Sequence, residues 1–275
     1  MTDAAAHRCN PDASPRLRTI AAIALGAGAT AKAMLRRYQM DDMVHKGPRD
    51  YQTEADRSVE RQIVEAIVLA FPDYAISGEE QIGDRAGRGG DTPLVHIDPI
   101  DGTTNFAWGI PHFGIVIAIE ERGEIVTGVV YDPMLDELFA AETGGGAWLN
   151  GHRLRMTPVP SPEASVVGAS LPVPGQVKSV DIEQYHRALR RLMDTTSGVR
   201  RFGSAALSLA YVAAGRLNAF FEDGLSVHDY GASVLIIREA GGIVTDFFGG
   251  PITQAGAILG AAPDLHDWMV EGFRS

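Results

Sequence analysis

Between His112 and Leu149 short apolar runs alternate with turn residues, and no other stretch restricts the fold as tightly. His112 to Ile119, Glu124 to Tyr131, Glu137 to Ala141 and Ala147 to Leu149 are rich in β-branched residues and read as successive strands. Arg122-Gly123, Asp132-Pro133 and Gly144-Gly145-Gly146 separate them, and Asn150-Gly151 follows the last. Parallel neighbours would need a crossover of about a dozen residues, so these short separators predict an antiparallel meander.

On either side the pattern changes. From Leu17 to Tyr38 small residues suit a closely packed helix, and Gly26-Ala27-Gly28 lacks the third glycine and preceding strand of a dinucleotide site. Val59, Ile63, Val64, Ile67 and Val68 form one helical apolar stripe, started by Thr53 and Asp56 and stopped by Pro72. Gln81 to Thr92 reads as a polar surface loop, and Leu94 to Ile97 as a short strand ending abruptly at Asp98-Pro99. The proline-rich stretch from Pro158 to Gly175 is the best boundary between halves, or a mobile loop over a site. Beyond it helices near Ile182 to Asp194, Ser204 to Ala214 and Tyr230 to Ala240 alternate with strands near Leu217 to Phe221, Gly242 to Asp246 and Ala257 to Leu259. The class is α/β (α+β).

A net charge of −11 argues against a nucleic-acid-coating role, which needs surplus Lys and Arg. Apolar residues at 45% and charged residues at 21% exclude wholesale disorder, and 275 residues can bury about 73% of the extended surface. Cys9 is alone, so no intrachain disulfide can form; a reducing compartment and a loose surface thiol are the simplest expectations. The most apolar early stretch, Ile20 to Thr30, is far short of the roughly 20 residues that span a bilayer, and its flanks do not match a signal peptide. A cytoplasmic protein is expected.

The chemistry concentrates at His96-Ile97-Asp98-Pro99-Ile100-Asp101-Gly102-Thr103-Thr104. A buried strand delivers two aspartates three apart, and a tight turn at Pro99 would bring both carboxylates to one small volume. Gly102 permits an unusual backbone angle before a short helix. Paired oxygen ligands and free N–H groups then meet at one point, which suits a hard cation and a phosphate. An aspartyl-phosphate mechanism is disfavoured, because the nucleophile of that motif stands two residues before the second aspartate.

Asp98 to Phe106 resembles the signature of the inositol monophosphatase family of metal-dependent, lithium-sensitive phosphatases. Asp50-Tyr51-Gln52-Thr53-Glu54-Ala55-Asp56 with Lys46 upstream, Gly78-Glu79-Glu80, and His228-Asp229 followed by Glu239-Ala240-Gly241-Gly242 are similar to its other elements, in order. Taken singly, Glu79-Glu80 would be a solvated pair and Asp229 the N-cap of a helix starting at Tyr230. The resemblance implies a layered αβαβα sandwich of the fructose-bisphosphatase type. Residues 1–153 would form an α+β half carrying the site, and residues 154–275 an α/β half contributing Asp229 and substrate contacts.

It also implies two or three Mg²⁺ ions held by Glu79, Asp98, the Ile100 carbonyl, Asp101 and Asp229. The absence of a His or Cys pair argues against zinc. Glu79 and Thr103 would activate the attacking water with Asp56 behind Thr103. Gly102 and Thr103 N–H groups would hold the phosphate, and Thr104, Gly203, Ser204, Ala205 and Glu222 would line the substrate. Asp50, Thr53 and Glu80 would stand behind them. The implied activity is hydrolysis of inositol monophosphate or a similar small polyol phosphate by metal-activated water, in a homodimer without nucleic-acid or membrane contact. Histidinol-phosphate and sugar-phosphate phosphatases share the frame and stay open, as does a protein-partner role in transcription or ribosome maturation. His228 stands where the family usually has Trp, and His96 where an aromatic often stands; packing is expected for His228.

Overall fold

The computed structural model describes residues 5, 7–35, 44–47, 50–87, 91–173, 175–253 and 256–274, with the backbone alone at 44–47 and 50–52. Helix α1 (Pro15–Met34) starts at Ser14, whose side chain accepts the Leu17 N–H. A Cβ on Gly28 would stand 2.5 Å from the Tyr131 ring, so the small residues let α1 lie against the sheet. Residues 36–38 of the expected helix lie outside the described residues. The antiparallel pair β1 (Val44–Gly47) and β2 (Asp50–Gln52) leads into α2 (Glu54–Ala70).

The meander is present and longer than expected. Strands β3 (Ala75–Gly78), β4 (Leu94–Asp101), β5 (Gly114–Glu121), β6 (Glu124–Asp132), β7 (Glu137–Glu142), β8 (Gly146–Leu149) and β9 (His152–Arg153) form one sheet in that order. Only the β3–β4 pair is parallel. Helix α3 (Thr103–Ala107) separates β4 from β5. A second sheet has the order β11-β10-β12-β14-β13, from β10 (Val166–Ala169), β11 (Gly198–Arg200), β12 (Ala219–Glu222), β13 (Ile243–Thr245) and β14 (Ile258–Ala261). Its helices are α4 (Ile182–Thr195), α5 (Ala205–Ala213), α6 (Val227–Glu239) and α7 (Pro263–Arg274).

Strand alternation decides the layers. Ile115, Ile117 and Ile119 face α1 and α2, whereas Val116 and Ala118 of the same strand face α5 and α6. Those two helices also cover Phe220 and Ile258 of the second sheet, whose opposite residues Phe221 and Leu259 pack against Tyr185 of α4 and Phe273 of α7. The result is an αβαβα sandwich, as the resemblance implied.

Several expectations are corrected. β4 does not stop at Asp98-Pro99 but runs to Asp101. The proline-rich stretch contains β10, which pairs on both sides with parallel partners. Cys9 is buried among apolar residues, and burial pushes its thiol up to about 11. Val68 is 40% exposed, the buried stripe of α2 being Ala55, Asp56, Val59, Glu60, Ile63 and Ile67. α6 begins at Val227, one turn before the expected start.

Candidate metal and phosphate site

The two aspartates of β4 are brought together by a bulge rather than a turn. Ladder partners step from Asp98–Val116 to Asp101–Gly114, leaving one more residue on β4 than on β5. Pro99, with no N–H to donate, sits within it, and the Ile100 N–H turns to Asp98 Oδ1 at 3.0 Å. Oxygens of Asp98, Asp101 and Asp229 then lie within 4.8 Å of one another. Asp229 comes from the first turn of α6. Ser226 is the cap there, and its N–H and Oγ donate to Asp229 Oδ2 at 2.6 and 2.9 Å. Asp229 is therefore not the cap its local context suggested.

These carboxyls are set against one another. Burial raises Asp98 well above the usual range, the charges of Glu79, Asp101 and Asp229 raise it further, and Glu79 also hydrogen-bonds to it. Burial pushes Asp101 up to about 7, opposed by donors at the start of α5. The Ala205 and Ala206 N–H groups reach Asp101 at 3.1 and 2.9 Å, and the Ser204 hydroxyl donates to it as well. All-oxygen donors, two of them buried and all of one charge, fit a hard cation.

Gly102 turns the chain out of β4 with φ 101°, and a Cβ there would stand 3.0 Å from the Gly203 carbonyl. Thr103 follows at the start of α3. Its Oγ1 lies 3.2 Å from Asp56 Oδ1 and 3.1 Å from the Ile100 carbonyl, either of which can accept its proton. Asp56 Oδ2 accepts the Thr53 N–H at 2.8 Å and its hydroxyl at 2.5 Å, while burial pushes the Asp56 carboxyl up to about 6. Glu79 follows β3 and donates its N–H to the Ile97 carbonyl at 3.0 Å. The side chain of Asp50 lies outside the described residues, as does that of Lys46.

Asp101, Gly102, Thr103, Thr104, Gly203, Ser204, Ala205, Glu222 and Asp229 all line one cleft of about 510 Å³. Arg201 is the one cation on this lining among the described residues. Burial pushes Glu222 up to about 7, with Asp101 and Asp229 adding to the rise. The charge of Glu80 raises Asp56 and Glu60.

Sequence reasoning missed Glu60. It is fully buried and accepts the N–H groups of Glu80 and Ile82, both at 2.8 Å, which pins the turn bearing Glu79. A Cβ on Gly78 would lie 2.4 Å from Glu60 Oε1, so the glycine makes room for this carboxylate. Its spacing of four from Asp56 on one helix face was the available signal. His228 packs as expected: Nε2 pairs with Ser77 Oγ at 3.0 Å, its ring meets His96 edge-on at 5.5 Å, and burial pushes it down to about 4. His96 pairs with Glu120 Oε2 at 2.8 Å.

A family model described as the inositol monophosphatase family matches residues 15–275. The chain is 46% identical over 216 residues to the inositol-1-monophosphatase of Rhizobium meliloti, covering 78% of this chain and 79% of that one. It is 43% identical over 237 residues to the Nus factor SuhB of Pseudomonas aeruginosa, covering 86% of each. Among solved structures, the extragenic suppressor protein suhB from Bartonella henselae matches with a TM-score of 0.87 at 37% identity, over 95% of this chain and 99% of that chain. An IMPase from Thermotoga maritima matches with a TM-score of 0.84 at 34% identity, over 95% and 97%.

Proposed function

The chain belongs to the inositol monophosphatase family and is a phosphatase, and we propose that it hydrolyses inositol monophosphate or a similar small polyol phosphate with Mg²⁺ as its metal. The observation that carries this reading is the convergence of Asp98, Asp101 and Asp229 at the edge of a cleft large enough for a sugar-sized ester. These three, with Glu79 and the Ile100 carbonyl, would hold two or three ions. Bound there, Mg²⁺ would polarise the phosphate and make water more acidic.

The chain's own groups divide the remaining work. With its proton directed to Asp56, the Thr103 hydroxyl offers a lone pair that orients the attacking water, and Glu79 accepts that water's proton. The N–H groups of Gly102 and Thr103 would hold the phosphate. Glu222 and the Gly203-Ser204-Ala205 segment would receive the alcohol. None of these residues forms a covalent intermediate. Residues 1–153 and 154–275 would act as two halves meeting at the cleft; the first sheet lies within the former and the second within the latter.

The test is phosphate release, with and without Mg²⁺, from inositol 1-phosphate, histidinol phosphate, fructose 1,6-bisphosphate and 3′-phosphoadenosine 5′-phosphate. Preference for histidinol phosphate keeps the mechanism and moves the substrate. Lithium, another small hard cation, should inhibit. A cytoplasmic homodimer is part of the proposal. The lone Cys9, which can form no intrachain disulfide, supports the location, and among the described residues no helix is long and apolar enough to cross a membrane; the dimer rests on the family resemblance. Light scattering tests the dimer. The relative named Nus factor SuhB favours a second reading, a role through a protein partner rather than direct nucleic-acid contact. Rescue of a deletion phenotype by Asp98→Asn would support it.

A further inference from the structure

Two adjacent acids, Glu222 and Asp223, end β12 and follow it beside the cleft. Asp223 is 1% exposed and turns away from the cleft into the loop. It accepts the Lys178 and Ser179 N–H groups at 2.7 and 2.8 Å, the Ser179 hydroxyl at 2.7 Å and the Gly224 N–H at 2.8 Å. Glu222 lines the cleft instead. Its Oε1 accepts a hydrogen bond from Gln176 Nε2 at 2.8 Å, and the Ser170 hydroxyl bonds to the same carboxylate. The Gln176 amide oxygen lies 3.4 Å from the Val173 N–H, which sets the amide with its donors toward Glu222. Gly224, at φ 76°, allows this approach, since a Cβ there would stand 2.4 Å from the Gln176 carbonyl.

We propose that Gln176 is a specificity-determining positioning residue: its amide fixes the Glu222 carboxylate as an acceptor for the hydroxyl groups of a polyol phosphate. The inference rests on the polyol-phosphate reading above and adds the residue that selects the alcohol. A carboxylate has about four acceptor sites and no donor while ionised. With Oε1 tied to Gln176, rotation of the carboxylate is arrested, and its remaining lone pairs meet neighbouring hydroxyls of the substrate in one geometry. An aryl phosphate has no hydroxyl to offer and gains nothing from that arrangement. Gln176 therefore acts on the choice of alcohol and not on cleavage of the phosphate bond.

The experiment compares Mg²⁺-dependent phosphate release from inositol 1-phosphate and from p-nitrophenyl phosphate in wild type, Gln176→Leu and Gln176→Glu. The expected result is a fall of about tenfold in the ratio of the two kcat/KM values, carried by KM for inositol 1-phosphate. Gln176→Glu is nearly isosteric, so it keeps the test open should Gln176→Leu fail to fold. Having lost the donor and gained a like charge, it should lower the ratio at least as far. An unchanged ratio in a wild type and variants that turn over both esters overturns the inference and leaves the phosphatase reading in place. A loss shared equally by both esters also overturns it, since only fold integrity would then be at stake. A wild type that hydrolyses neither ester removes the phosphatase reading, and this inference with it.

Discussion

The ends of β4 and β12 both border the cleft, and both carry paired acids. At the end of β4, Asp98 is pressed by Glu79, Asp101 and Asp229, all of its own sign. Just past β12, Asp223 is surrounded by four donors, three from Lys178 and Ser179 in the loop before α4 and one from the adjoining Gly224. Both residues are 1% exposed, so burial alone does not distinguish them. What differs is compensation. The Asp223 pocket is complete without any guest, and its carboxylate holds a loop. The Asp98 cluster gathers like charges despite its donors, and a cation would offset them. A buried acid is thus read from what answers its charge, not from its depth.

The largest effect should come from Asp101→Ala, which removes a proposed ligand from the acidic cluster. Mg²⁺-dependent turnover is expected to fall about 10³-fold or more, measured as phosphate release at saturating Mg²⁺. Turnover within a few-fold of wild type would mean that the cluster is not the site. Next in size, Asp223→Ala strands four donors and should cost about 3 kcal/mol, seen as a fall in Tm. Asp98→Asn should do the opposite in metal-free protein and raise Tm, since it relieves repulsion. If the two variants shift Tm in the same direction, the contrast between the strand ends is broken.

Acidity acts on acids of both regions. Burial raises Asp56 to about 6 and Asp101 and Glu222 to about 7, above their values near 4 in an unfolded chain. The folded state then holds more protons than the unfolded state between about pH 4 and 7. Their contribution to stability is therefore full below about pH 4 and is lost as pH rises through 7. Metal-free protein should show this as a falling Tm across that window. At pH 7 to 8, Mg²⁺ should restore roughly 2.7 kcal/mol at a hundredfold excess over its Kd. A Tm indifferent to Mg²⁺ at pH 8 would contradict the reading.

Much of this was legible in the chain itself, for identifiable reasons. The meander announced itself because short turns leave antiparallel pairing as the only geometry, and Asp98-Pro99-Ile100-Asp101 because two acids beside a buried strand demand an explanation. What escaped depended on contacts distant in sequence. β10 hides among prolines because its partners β11 and β12 lie some 30 and 50 residues further on, beyond the reach of any local pattern. Glu60 looked like an ordinary helix charge, since the N–H groups it satisfies belong to residues 80 and 82. Cys9 seemed exposed because its neighbours in sequence are polar, whereas its neighbours in space are apolar. Gln176 gave no signal, because a glutamine in a loop means nothing until the carboxylate it meets is known.

Asp229 belongs to both kinds of acid at once, which makes it the most sensitive place to probe the contrast. Its Oδ2 is answered by the Ser226 N–H and hydroxyl, while its carboxylate also stands within 4.8 Å of Asp98 and Asp101. Ser226→Ala removes one of those two donors and the cap of α6 while leaving every carboxylate in place. Stability should fall by about 1 kcal/mol. If Asp229 acts mainly as a helix-capping acid, that loss will be the same with and without Mg²⁺. If it is a ligand, Mg²⁺ will hold the carboxylate in the absence of the hydroxyl, and the loss will shrink as the metal is titrated in. Thermal melts of Ser226→Ala across a Mg²⁺ series therefore separate the two roles of one side chain, and a gap from wild type that stays constant would return Asp229 to the self-sufficient class of Asp223.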